Sequence, residues 1–128
     1  MSNCYPPQGY ANPGAVLITD LGTLTIADAT EDITPPNPPA GTIGKVKVAG
    51  FGGADDSLKQ INAGSEWDGK MIMLEPSDDA VTITLVNDST KLALGTNKTL
   101  DSLLDTALLV KVPGTDNLWK LVSFNSGA

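Results

Sequence analysis

Hydrophobic and polar positions alternate in short runs along most of this chain, with a period of two rather than the 3.6 of a helix. Lys45-Val46-Lys47-Val48 pairs charge with β-branched residues, as a strand with one wet and one dry face requires. Ala80-Val81-Thr82-Ile83-Thr84-Leu85-Val86 alternates strictly, with Val81, Ile83 and Leu85 on one face and threonines on the other. Lys70-Met71-Ile72-Met73-Leu74 is apolar on both faces, which implies a strand covered on both sides or buried against a second chain. Further β-type runs are 15–19, 23–26, 58–61, 91–94, 108–112 and 118–124. In 99–105, Leu100, Leu103 and Leu104 have helical spacing and Thr99 or Asp101 could cap a turn, but the segment is read as strand and turn.

Turn chemistry separates these runs. Asp20-Leu21-Gly22 divides the first two and suggests a hairpin or a corner; residues 49–56, with Gly50, Gly52 and Gly53, read as a loop. Asn62-Ala63-Gly64 ends the 58–61 run, Glu75-Pro76-Ser77-Asp78-Asp79 turns the chain before 80–86 returns, and Asn87-Asp88-Ser89 makes another turn. The strongest hairpin signal is Pro113-Gly114-Thr115-Asp116-Asn117 between the last two runs. Thr34-Pro35-Pro36-Asn37-Pro38-Pro39 is a stiff connector that no central strand can contain, because proline fixes φ and removes a backbone donor. An organisational boundary is therefore expected near residue 40. The predicted architecture is all-β: an extended N-terminal arm over 1–40, with a short β pair and the Pro-rich connector, ahead of a compact β-sandwich or barrel-like knob over 41–128.

The totals narrow the partners. At 128 residues, one domain and an arm exhaust the length. The net charge is −7 with 18% charged residues and no arginine, so phosphate-rich nucleic acid and anionic membrane surfaces are poor partners. No apolar run reaches the roughly 20 residues of a spanning helix, and Met1-Ser2-Asn3-Cys4-Tyr5-Pro6-Pro7 has neither the basic nor the apolar region of a signal peptide, so synthesis in a cytosol is expected. Cys4 is the one cysteine, which excludes an intrachain disulfide, and no base accompanies it. Asn87-Asp88-Ser89 and Asn97-Lys98-Thr99 match a glycosylation pattern but read as turns.

Candidate chemistry is sparse, because histidine is absent and with it the usual general base and the commonest zinc ligand. The acidic pairs Glu31/Asp32, Asp55/Asp56, Glu66/Asp68 and Asp78/Asp79 could serve glycoside hydrolysis or weak calcium binding, yet most adjoin Gly, Pro or Ser, where carboxylates serve turns. Gly50-Phe51-Gly52-Gly53 lacks the Lys-Ser/Thr of a phosphate loop and precedes two acids. Trp67 and Trp119 could stack on sugars; the plainer reading makes Trp119 core and Trp67 the cover of a hairpin edge. No catalytic, cofactor or metal residue is assigned.

The succession Trp67-Asp68-Gly69-Lys70-Met71-Ile72-Met73-Leu74, Ala80–Leu85, Lys91–Leu94, Asp105–Val112 and Leu118-Trp119-Lys120-Leu121 resembles the β-domains of tailed-bacteriophage virion proteins. The short length and the proline-rich arm make the chain similar to capsid decoration (cement) and head-fibre proteins rather than to tail-fibre knobs; no fibre repeat or heptad stalk is present. The resemblance implies a non-enzymatic homotrimer on the capsid surface of a virion, bound to the major capsid protein, with a receptor- or glycan-binding tail-fibre knob as the alternative. An extended arm can add a strand to a neighbouring subunit, and the apolar runs 70–74 and 108–112 exceed what one small sandwich hides. The residues expected to matter are Tyr5, Tyr10, Val16 and Ile18 for capsid contact, and Met71, Met73 and Leu109 for the oligomer interface.

Overall fold

A computed structural model describes residues 17–38 and 42–127. The all-β expectation holds: eleven strands and two short 3-10 turns make up the regular structure of the described residues. The architecture is a short β-solenoid, which corrects the sandwich or barrel expected from the strand pattern. Strands β1 (Leu17–Thr25), β3 (Thr42–Ala49) and β6 (Met71–Pro76) stack in parallel. Around the coil, β2 (Asp32–Ile33) lies parallel to β5 (Gln60–Ile61), and β4 (Asp56–Leu58) parallel to β7 (Ile83–Leu85). The aligned pairs Leu17/Thr42, Asp56/Ile83, Asp32/Gln60 and Gly44/Ile72 return the chain to the same side after 25 to 28 residues.

The stack ends by reversing direction. After β8 (Leu92–Ala93), β9 (Lys98–Leu100) pairs antiparallel with β7, and β10 (Thr106–Lys111) antiparallel with β6. The expected hairpin then brings β11 (Trp119–Asn125) back along β10, with the Val112 N–H donating to the Leu118 carbonyl across the turn, and β8 pairs parallel to β11. The main sheet thus runs β1-β3-β6-β10-β11-β8.

Three expectations about local geometry change. Asp20-Leu21-Gly22 is a bulge within the single strand β1, not a hairpin or corner between two strands. Gly22 takes φ +90° and donates its N–H to Asp20 Oδ1 at 2.8 Å, so the turn chemistry serves one extra residue in the strand. Residues 75–79 make a corner between sheets, so 80–86 does not return beside 70–74. The boundary near residue 40 does not divide the described fold: β1 and β2 form the first coil, paired with β3 and β5 of the supposed knob. The connector's Pro35 is buried, and the Pro36 carbonyl accepts the Trp67 indole N–H at 3.2 Å; residues 39–41 lie outside the described set.

Stacking sets which residues fill the interior. In β3, β6 and β10 every second residue faces in, so Val46, Leu74 and Ala107 align in one row, and Gly44, Ile72 and Leu109 in the next. Leu58, Ile83, Leu85 and Leu100 close the core from the β4-β7-β9 side, and Ile33 and Ile61 from the third side. Trp67 and Trp119 meet at its centre, ring centroids 5.6 Å apart, both fully buried. Gly44 sits beneath them: a Cβ there would lie 2.6 Å from Leu21 Cδ1 and 2.9 Å from Trp67 Cη2. Gly44→Ala should therefore destabilise the fold by about 1–3 kcal/mol through overpacking, read as a lower urea midpoint at unchanged slope.

Candidate interaction surface

The alternation that fills the interior also decides what the main sheet shows outward. One outward row runs from Ile18 through Ile43, with Met71, Val110 and Lys120 on the neighbouring strands; the next runs Asp20, Lys45, Met73, Leu108 and Ser123. A third holds Thr23, Lys47 and Glu75. Ile18, Ile43, Met71, Met73, Leu108 and Val110 thereby form a continuous apolar band across four strands. Ile18 is 54% exposed and the other five are half-buried against one another. Lys45 and Glu75 make a 3.8 Å ion pair at its border, and Lys47 and Lys120 flank it. Contiguous apolar surface rimmed by polar groups is characteristic of protein contact sites.

Met71 and Met73, expected at an oligomer interface, lie in this band. Leu109 does not: it points inward and is fully buried in the chain's own core, whereas Leu108 and Val110 on either side face outward. Ile18, expected to touch a capsid, stands in the same outward row as Ile43. Tyr5, Tyr10 and Val16 fall outside the described residues. Leu108 and Val110 were read only as members of the apolar run 108–112, in which Lys111 follows them. That lysine shares the inward face with Leu109 and is only 1% exposed.

Lys111 is tolerated inside because its Nζ donates to Asp68 Oδ1 at 2.7 Å and to the Thr115 carbonyl at 3.0 Å. The ammonium's hydrogen bond holds the Asp68 carboxyl below its ordinary value against the opposing effect of burial, with help from the Gly114 N–H. The pair thus pins the β10-β11 turn to the coil above it.

Of the acidic pairs considered for catalysis or calcium, Glu31 pairs with Lys59, Asp32 accepts from the Thr30 and Asn62 side chains, Asp68 holds Lys111, and Glu66 accepts the Gly64 N–H, while the other two pairs are occupied with backbone donors. Asp55 Oδ1 accepts the Thr82 N–H, Asp56 the N–H groups of Phe51 and Ser57, Asp78 that of Ala80, and Asp79 that of Leu103. Among the described residues, no three His, Cys, Asp or Glu side chains converge as a metal site, and no helix is long and apolar enough to cross a membrane. The tryptophans offer no stacking platform, since both are core; for Trp67 this replaces the expected hairpin cover. Phe51 alone of the aromatic candidates is exposed, at 52%. No family model, curated protein or solved structure matches the chain.

A second carboxylate cluster was not visible in the sequence. Asp105 is fully buried and accepts N–H groups from Asp101 and Ser102 through Oδ2 and from Gly127 through Oδ1, at 2.8–3.1 Å. Burial pushes its carboxyl up, but these donors and the Asp101 side chain outweigh that and leave it lowered; Asp101 is raised by its hydrogen bond to Asp105. This clamp holds the end of β11's strand extension against the 101–105 turn, where Gly127 packs so closely on Leu104 that no Cβ fits.

The clamp makes stability depend on acid. For Asp105 and Asp68 the folded carboxyl is lowered, so the stabilisation is full above the unfolded value of 3.8 and is lost as pH falls through the folded value. Asp101, being raised, acts in the opposite sense and offsets part of the loss. Asp105→Ala should lower stability by about 1–3 kcal/mol near neutral pH, because it leaves buried N–H groups unpaired. The difference from the parent chain should shrink on acidification below pH 3.8, measured by urea unfolding at several pH values.

Proposed function

We propose that the chain is a non-catalytic structural protein that works by burying its outer sheet face against other polypeptides. The observation that carries this reading is the apolar band of Ile18, Ile43, Met71, Met73, Leu108 and Val110, which the solenoid interior does not require and water does not favour. An acidic, arginine-free composition supports protein rather than nucleic acid as the partner.

Within that class, the particular form proposed is a decoration protein of a bacteriophage capsid: a homotrimer on the outer surface of the virion, attached to the major capsid protein and synthesised in the host cytoplasm. The strand pattern of the second half of the chain supports it through its likeness to phage β-domains. Attachment is assigned to the N-terminal region, with Tyr5, Tyr10, Val16 and Ile18, and self-association to the band around Met71 and Met73. The glycan-binding alternative retains Phe51 but has lost its tryptophans to the core.

Mass spectrometry of intact particles tests the reading: hundreds of copies per virion are expected, and a few copies, or none, would contradict it. In the isolated protein, Met73→Asp should weaken self-association by about tenfold or more, as expected for a desolvated interface position. Far-UV circular dichroism should be unchanged, since the Met73 side chain points away from the core.

A further inference from the structure

We propose that the outer sheet face binds a second, different surface on another copy of the chain: the aspartate-rich corner where the main sheet turns toward the β4-β7-β9 sheet. The inference rests on the self-association part of the reading above and specifies its partner surface.

Charge is unevenly divided over the molecule. The outer face shows Lys45, Lys47 and Lys120 against Asp20 and Glu75, one net positive charge on a chain of net −7. The complement collects at the corner. Strands β1, β3 and β6 all run toward this end of the sheet and β10 starts from it, so the loops leaving them stack one above another. They carry Asp28, Asp55, Asp56, Asp78, Asp79 and Asp101 to the same end of the sheet, and the Thr82 and Leu103 N–H groups on Asp55 and Asp79 tie the last three of these loops together. No lysine lies within these loop segments, 27–30, 50–56, 77–82 and 101–105.

The corner is also apolar where the face needs it to be. Phe51, Leu103 and Leu104 are 52%, 48% and 66% exposed there, among the largest exposures of big apolar side chains in the described residues. Apolar groups bordered by carboxylates match an apolar band whose border of three lysines and two acids carries one net positive charge, in composition and in the sign of the surplus. Face against face would instead oppose like surplus charge and leave the corner leucines in water. Unlike patches meeting head to tail form a heterologous contact, and such a contact closes into a ring when the rotation between subunits permits, as a trimer requires.

Charge swapping tests this with the whole chain. Lys45→Glu with Lys47→Glu makes the face net negative, and Asp28→Lys with Asp78→Lys removes most of the corner's negative charge at two exposed sites. Each pair should weaken self-association about tenfold or more in sedimentation equilibrium, and all four changes in one chain, which leave both surfaces net negative, should weaken it at least as much as either pair. If only the face pair weakens association, the face meets itself and the proposal fails. It fails equally if the four-site variant associates as tightly as the parent chain, or if the parent chain stays monomeric. Should the corner pair unfold, as circular dichroism would show, Leu104→Lys probes the same corner; unchanged association in that folded variant overturns the proposal. Absence of the parent chain from particles, with association behaving as above, would count against the capsid reading and leave this one standing.

Discussion

In-register parallel stacking of β3 on β6 is the constraint on which the rest of the molecule depends. Gly44, Val46 and Val48 lie over Ile72, Leu74 and Pro76, and a slip of one residue would send every one of these inward side chains to solvent. The stack is held from inside by the two tryptophans, whose indole N–H groups reach the Pro36 and Ile61 carbonyls, so the core is tied to the connector and to the third side of the coil. Gly44 is the point where stacking and tryptophan packing compete for the same space, and only hydrogen satisfies both.

The same register determines the outer surface. Once 44, 46 and 48 face in, 43, 45 and 47 must face out, and likewise 71, 73 and 75. Nothing in stacking asks those outward residues to be isoleucine or methionine, and so their apolar character is surplus to folding. Both ends of the stack are treated differently. The last coil reverses and is latched by Asp105 on the Gly127 N–H. The first coil leaves β1 unpaired on one side among the described residues, with the Asp20 and Gly22 bulge interrupting the regularity that uncontrolled strand addition needs.

Much of the local structure was legible in the sequence, and the topology was not. Strict alternation placed Ile83 and Leu85 correctly, and Pro113-Gly114 marked the β10-β11 hairpin, because both signals act over a few residues. A solenoid joins residues 24 to 28 apart through strands whose sequences share no repeat, so period-two alternation identified the strands without their partners. Asp20-Leu21-Gly22 was ambiguous in principle, since a positive-φ glycine serves a bulge as well as a turn. Lys111 runs against the usual rule that a lysine marks the wet face; the three-dimensional approach of Asp68, 43 residues away, makes it an inward residue. Of the outward apolar band, Met71 and Met73 were singled out from two-sided apolarity, whereas Ile43, Leu108 and Val110 needed the register.

Mild peroxide oxidation of Met71 and Met73, quantified by peptide mass spectrometry as a function of protein concentration, bears most directly on whether the outer face is covered by protein. Both methionines should oxidise readily at high dilution and become protected together as the chain self-associates. Oxidation that proceeds at the same rate at every concentration would contradict the view that this face exists to be buried.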